Sequence, residues 1–318
     1  MTGTLWITGA CGFTGRHLAE YVNSLPDRPR VIGISRRTAP TDPPPLDVYE
    51  PIDLRDGNAV EAVARRLPPD WVIHLAGCTH TDAADLWESN VGAMLGLGRG
   101  LVAAGSRAAS VVSIGSAAEY AAASAMPLTE TSPLGPVSAY GRTKVAQSLL
   151  AQDFSRAFGV PCCVARTFNL VGPHLPGRLV AGRVVSEFAR AAADGGAIRL
   201  RSVHTSRDFV DVRDAVAAYW LLARHGRDGE IYNVCTGTAV TVSALVGMVA
   251  EIAACHPDLQ TVDADSSASD PVQVIGSPRK LQDATGWQPR VSLRQSLADM
   301  WKSRLDRHDV SEPAGRGA

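Results

Sequence analysis

Leu5-Trp6-Ile7-Thr8-Gly9-Ala10-Cys11-Gly12-Phe13-Thr14-Gly15 decides the fold. Leu5 to Thr8 is a short apolar run and reads as a buried strand. Residues 12–24 carry a helical pattern. Between the two lies a GxxGxxG loop. Glycine has no Cβ, so the backbone there can turn tightly and lie close to another group. The helix that follows offers unpaired N–H groups and the positive end of its dipole to an anion. A strand before and a helix after are the context that separates a phosphate loop from a chance glycine turn.

Outward from this loop the chain keeps alternating. Residues 30–35, 71–75, 109–114 and 160–166 are short and almost wholly apolar, as in strands buried on both faces. Residues 57–67, 86–104 and 138–158 read as helices. Such alternation predicts an α/β fold, a Rossmann-type doubly wound parallel sheet. After Arg166 the pattern loosens. Helices are expected over 179–193, 215–224, 242–254 and 292–304, with strands over 198–201, 207–212 and 230–235. This predicts a dinucleotide-binding domain over 1–168 to which about 205–238 returns. A smaller α/β substrate domain is expected over 169–204 and 239–308, and a flexible tail over 309–318.

A Rossmann unit that binds NAD commonly places a carboxylate about 20 residues after the loop, on the ribose hydroxyls. Here the strand ends in Ser35-Arg36-Arg37. A hydroxyl and two guanidinium forks suit a 2′-phosphate, so NADP is expected as cofactor, with NAD possible. The bland alternative is a solvated arginine pair. Gly9, Cys11, Gly12, Phe13, Thr14 and Gly15 would line the pyrophosphate. Asp53 and Leu54 fit an adenine edge. Leu75, Ala76 and Gly77 follow the His74 strand near the cofactor.

Tyr140 and Lys144 stand four residues apart on an expected helix, hence on one face. A free tyrosine titrates near 10, too high for easy proton exchange at neutrality, and a neighbouring ammonium is expected to lower it. Lys144 can also hold the nicotinamide ribose. Ser116 follows a strand at the sheet end where ligands bind in such folds. It either hydrogen-bonds the same substrate oxygen as Tyr140 or is an ordinary turn serine.

Composition narrows the field. Thirty-one basic against 32 acidic residues leave a net charge of −1, which argues against nucleic acid and anionic membranes as partners. No apolar stretch is long enough to span a bilayer. The N-terminus lacks the basic start and apolar block of a secretory peptide. The six cysteines contain no CxxC pair, so they read as thiols in a reducing cytoplasm with no metal site.

Several motifs in order resemble the extended short-chain dehydrogenase/reductases that act on nucleotide sugars. They are Thr8-Gly9, Gly12 and Gly15; His74-Leu75-Ala76; Gly115-Ser116 with Tyr120; Tyr140 with Lys144; Phe168-Asn169 with Gly172-Pro173; Arg207-Asp208-Phe209 with Val212; and Thr285-Gly286-Trp287 with Pro289. The resemblance implies a catalytic set of Ser116, Tyr140 and Lys144 and a nucleotide-sugar substrate. It implies contacts from Asn169 and Arg207, the latter to the diphosphate; the competing role for Arg207 is a salt bridge to Asp211 or Asp214. Thr79, His80 and His174 are further candidates for the substrate pocket. A homodimer built on the helices over 86–104 and 138–158 is also implied, and Gly92, Gly96, Gly100 and Ala146 permit close packing in a dimer or in the core.

Departures from the family pattern are informative. Ala117 and Ala118 stand where the 4,6-dehydratases carry Asp-Glu, so elimination is disfavoured. Ser267-Ala268-Ser269-Asp270 lacks the arginine that the family often has there. The C-terminal half resembles the GDP-4-keto-6-deoxymannose reductases, which implies an NADPH-dependent 4-ketoreductase of a nucleotide-linked 4-keto-6-deoxyhexose, GDP- or dTDP-linked. A nucleotide-sugar 4-epimerase and a non-catalytic dinucleotide sensor are the alternatives.

Overall fold

Residues 3–36, 42–79, 82–106, 110–122, 124–200, 203–261 and 272–308 are described by the structure, a computed structural model. The first half runs β1 (Thr4–Thr8), α1 (Phe13–Asn23), β2 (Arg30–Ile34), β3 (Val48–Glu50), α2 (Gly57–Arg66) and β4 (Trp71–His74). Then come α3 (Ala83–Trp87), a π-helical turn (Glu88–Gly92), α4 (Ala93–Ala103), β5 (Ser110–Ser116), a 3-10 turn (Ala117–Glu119), α5 (Ala139–Gln152), α6 (Phe154–Phe158) and β6 (Cys162–Thr167). The rest comprises β7 (Asn169–Val171), α7 (Val180–Asp194), β8 (Ile198–Leu200), β9 (Ser206–Asp211), α8 (Val212–His225), β10 (Ile231–Val234), β11 (Ala239–Thr241), α9 (Val242–Ala253), β12 (Leu259–Thr261), β13 (Gln273–Val274), α10 (Arg279–Thr285) and α11 (Leu293–His308).

Seven strands form one parallel sheet in the order β3-β2-β1-β4-β5-β6-β10. Alternation along β1 sorts its side chains to two cores. Leu5 and Ile7 pack with Leu18 and Val22 of α1 and Val216 and Tyr219 of α8. Trp6 points the other way, among Val60 of α2 and Leu97 of α4. Both faces are therefore covered, as a parallel sheet requires. Strand order reverses between β1 and β4, which opens a crevice beyond their carboxyl ends. This is the doubly wound Rossmann arrangement that the alternation predicts.

A second, smaller sheet carries β9 at its centre. β11 pairs antiparallel on one side; β13 and β7 pair parallel with successive parts of β9. Its core joins α7, α9 and α11 through Val184, Phe188, Leu245, Leu297 and Met300. Asp208 ties this sheet to the large one. It is wholly buried, and its carboxylate accepts from the Thr236 N–H and hydroxyl and the Gly237 N–H, each at 2.8 Å, and from the Gly276 N–H at 3.3 Å. Burial nonetheless pushes its pKa up.

Two expected helices are interrupted. The span 86–104 breaks into the end of α3, the π turn and α4, and 138–158 breaks at Asp153 into α5 and α6. The π turn lets Asn90 point inward, while beyond the second break Phe154 packs against Phe158 with ring centroids 4.7 Å apart and the rings tilted by 58°. The small residues of α4 serve the core. A Cβ on Gly96 would sit 2.0 Å from the Leu54 carbonyl oxygen, and one on Gly100 would sit 2.4 Å from Val60.

Candidate functional site

The crevice is a cleft of about 670 Å³ beyond the carboxyl ends of β1, β4 and β5. Its floor at one end is the glycine loop. Gly9 has φ +69°, a left-handed conformation that a side chain would strain. Its N–H donates to the Ile34 carbonyl at 2.7 Å, and Gly12 N–H donates back to the Gly9 carbonyl at 2.9 Å. A Cβ on Gly15 would lie 2.5 Å from the Gly9 carbonyl oxygen, so only glycine lets α1 pack this close. Gly12 caps α1 without a side chain, and the first turn holds no acidic residue. The opening N–H groups of α1 thus meet the cleft with no built-in anion, which fits a dinucleotide pyrophosphate.

At the other end stand Ser116, Tyr140 and Lys144, all lining the same cleft. Ser116 is the last residue of β5 and the cap of the 3-10 turn. Its Oγ accepts from the Ala118 N–H at 3.2 Å and it hydrogen-bonds the Tyr140 hydroxyl. The serine is held by Glu119, whose Oε1 accepts from the Ser116 N–H at 2.7 Å. Glu119 is itself wholly buried and paired with Arg166 of β6 at 2.8 Å, and the Arg166 guanidinium lies 4.6 Å from the Tyr120 ring centroid. Sequence reasoning missed this clamp, although Ser116-Ala117-Ala118-Glu119 is the capping-box pattern that signals it.

Lys144 is 6% exposed; its Nζ donates to the Ile114 carbonyl at 2.6 Å and to Gln147 Oε1 at 2.7 Å and lies 6.0 Å from the Tyr140 ring centroid. The expectation that its charge lowers the tyrosine pKa is corrected here. Burial pushes Tyr140 up to about 12, opposed by the Ser116 hydrogen bond and reinforced by Glu119 and Cys78. Burial likewise pushes Lys144 down to about 8, opposed by Glu119. Each group is driven toward its neutral form because desolvation outweighs the charges nearby.

Beneath them Thr8, His74 and Ser113 stand side by side across β1, β4 and β5. Thr8 Oγ1 lies 3.0 Å from His74 Nδ1 and accepts from the Ala76 N–H at 3.1 Å. His74 is wholly buried, and burial lowers its pKa to about 3, so it is neutral. Asn90 fixes the loop after β4. Its side chain accepts from the Cys78 N–H and donates to the Cys78 carbonyl and to Thr143 Oγ1. Asn90, Tyr219 and Gln273 line the cleft and were not singled out in the sequence.

Most candidates meet in this cleft. Gly9, Gly12, Phe13, Thr14, Gly15, Leu75, Gly77, Thr79, Ser116, Tyr140, Lys144, Asn169 and Arg207 line it. Asp211 and Asp214, the rival partners of Arg207, are occupied elsewhere: Asp211 by Arg213 and Ser296, and Asp214 by the Arg290 and Val291 N–H groups. Seven candidates do not line it. Leu54 is core, and Ala76 packs beside that core. Asp53 is clamped by Arg55 at 2.6 Å, which holds its carboxyl below the usual range with help from Arg36. Ser35 and Cys11 both hydrogen-bond Tyr49. Arg36 is exposed at the end of β2. His174, at φ +66°, lies in a separate small pocket between α7 and α11, its N–H donating to Ser303 Oγ. Arg37 and His80 lie outside the described residues, as do 267–270 and the tail.

The profile of the family described as "NAD dependent epimerase/dehydratase family" matches residues 5–235. The chain belongs to that family. Among its relatives is GDP-6-deoxy-D-mannose reductase of Pseudomonas aeruginosa, 31% identical, with 96% of this chain and 99% of that protein covered. Another is dTDP-6-deoxy-L-talose 4-dehydrogenase (NAD(P)(+)) of Kitasatospora kifunensis, 29% identical over 94% of each chain. The solved structure of RMD from Pseudomonas aeruginosa complexed with NADPH superposes with a TM-score of 0.82 at 30% identity, covering 96% of this chain and 99% of that one. Like other members of the epimerase/dehydratase family, the protein is an NAD(P)-dependent enzyme of nucleotide-sugar chemistry. No described helix is long and apolar enough to cross a membrane.

Proposed function

We propose that the protein is an NADPH-dependent 4-ketoreductase of a nucleotide-linked 4-keto-6-deoxyhexose, of the GDP-4-keto-6-deoxymannose or dTDP-4-ketohexose type. One observation carries this choice within the family. Among the described residues, the cleft is lined by no carboxylate and no histidine. Elimination, and epimerisation at a carbon beside the ketone, need an additional acid or base; reduction at C4 needs one proton donor, as 4-epimerisation also does, and cofactor consumption separates those two. Ala117 and Ala118 line the cleft beside Ser116 and offer only methyl groups. The similarity to the Pseudomonas reductase supports the same reading.

When bound, the reduced nicotinamide supplies a hydride to the C4 carbonyl carbon. Tyr140 donates its phenolic proton to the C4 oxygen as negative charge builds there. A phenol held up to about 12 remains protonated and able to donate at neutral pH. Ser116 donates a second hydrogen bond to that oxygen, and Glu119 keeps the serine in place. Lys144 holds the nicotinamide ribose and steadies the phenolate left on Tyr140 until solvent reprotonates it. The opening turn of α1, from Gly9 to Gly15, holds the pyrophosphate, and Ser35, Arg36 and Arg37 take the 2′-phosphate. Arg207 binds the sugar-nucleotide diphosphate, and Asn169 and Thr79 border the sugar. Residues 1–168 with α8 and β10 form the cofactor-binding part; β9, within the 205–238 segment expected to return to it, lies instead at the centre of the smaller sheet and joins 169–204 and 239–308 in the substrate-binding part.

The protein acts in the cytoplasm as a homodimer on this reading. Trp87 on α3 and Leu149 on α5 are 46% and 55% exposed on helices that touch each other, which supports α3 and α5 as the subunit interface. A light-scattering mass of one chain would overturn it.

The decisive experiment follows NADPH absorbance with GDP- and dTDP-4-keto-6-deoxyhexoses generated in situ. Stoichiometric oxidation with one of them is expected and names the nucleotide. Protein that binds NADPH but oxidises none would turn the reading to epimerisation.

A further inference from the structure

We propose that Gln147 is a positioning residue for Lys144: it holds the side chain in one rotamer and favours its ammonium form. This rests on the role given to Lys144 above. The geometry leaves little choice of arrangement. An ammonium can only donate, so the Gln147 atom 2.7 Å from Nζ must be the amide oxygen. The amide nitrogen then faces Ser113 Oγ at 3.0 Å and donates to it. Ser113, Gln147 and Lys144 are all at least nine-tenths buried, so none of these bonds is exchanged readily for water. Two of the three ammonium protons are thereby taken, by Gln147 and by the Ile114 carbonyl, and the third is left for the cleft.

Gln147 also sits one turn beyond Lys144 on α5, so the helix that carries the lysine carries its restraint. Ser113 anchors that restraint to β5, two residues before the sheet passes through Gly115 to Ser116. The chain Ser113–Gln147–Lys144 thus sets the lysine relative to the same strand that ends in the reactive serine.

The ionisable groups facing Lys144 are Glu119 from the turn after β5, neutral His74 from β4 and Tyr140 from its own helix; Arg166 of β6 is engaged with Glu119. Burial lowers the lysine pKa to about 8, opposed by the Glu119 charge. A hydrogen bond to the charged form opposes that fall. Removing it moves the titration down, and replacing it with a carboxylate moves it up.

The test compares Gln147→Leu, Gln147→Glu and Ser113→Ala with the parent protein, each checked for folding by circular dichroism. The first readout needs no cofactor: the pH dependence of Lys144 acylation by a small amine-reactive reagent in the free protein, read by mass spectrometry. The midpoint is expected to fall by about one pH unit in Gln147→Leu, to fall less in Ser113→Ala and to rise in Gln147→Glu. The second readout is NADPH affinity against pH, whose alkaline limb should move in the same directions. Midpoints that stay in place in every folded variant would overturn the proposal. Shifted midpoints in a protein that binds no NADPH would uphold the role of Gln147 and remove the reductase reading instead.

Discussion

Tyr140 and Lys144 occupy positions that favour chemistry over stability. The lysine keeps its charge only below about pH 8 in the folded protein, against about 10.5 when unfolded. The unfolded chain therefore binds more protons between those values, and stability rises with pH across that window. Lys144→Met should melt higher than the parent at pH 7, and the gap should close as pH approaches 10. Turnover should behave oppositely, falling above about pH 8 in the parent as the ammonium is lost. Thermal melts and pH–rate profiles on the same samples check both statements. Tyr140→Phe should lower turnover by at least about 10²-fold while leaving NADPH affinity within a few-fold; loss of NADPH binding in the folded variant would contradict its assignment as proton donor.

At the scale of elements, the loop before α1 is where backbone geometry is most constrained. Gly15→Ala would place a methyl carbon 2.5 Å from the Gly9 carbonyl oxygen and 2.7 Å from Ala10 Cα. Backbone cannot step aside as a side-chain tip can, so a loss of about 1–3 kcal/mol is expected, with weaker NADPH binding. Urea denaturation and fluorescence titration measure the two effects. This loop, the buried strands and the Tyr140–Lys144 helix were legible in sequence, because glycine spacing and apolar runs report local geometry directly. β3, β7, β11, β12 and β13 were not. Each has two or three residues, too few for alternation to register. The inward turn of Asn90 was hidden as well, since a π turn widens a helix by one residue within an otherwise continuous helical pattern. Burial of the reactive pair lay equally out of reach. Spacing placed Lys144 near Tyr140, but the direction of their pKa shifts depends on how much protein surrounds them.

For the molecule as a whole, Asp208 is the knot. Its carboxylate gathers β9, the turn after β10 and Gly276 next to β13, and its neighbour Arg207 faces the cleft. Asp208→Ala would leave the N–H groups of Thr236, Gly237 and buried Gly276 without this acceptor. With charge-assisted hydrogen bonds contributing about 1.5–3 kcal/mol each, severe destabilisation or failure to fold is expected. Asp208→Asn, which keeps one acceptor oxygen, should fold with a lowered melting temperature and a raised KM for the sugar nucleotide.

The lining without carboxylates reaches beyond the choice of reaction. Among the described residues, the charged side chains that line the cleft are Arg178, Arg207 and Lys144, although the chain as a whole is nearly neutral. A diphosphate-bearing substrate would be attracted by these cations. Capture should then depend on ionic strength while the later steps do not. Added salt should depress kcat/KM several-fold and leave kcat nearly level, and stopped-flow binding rates should fall in parallel.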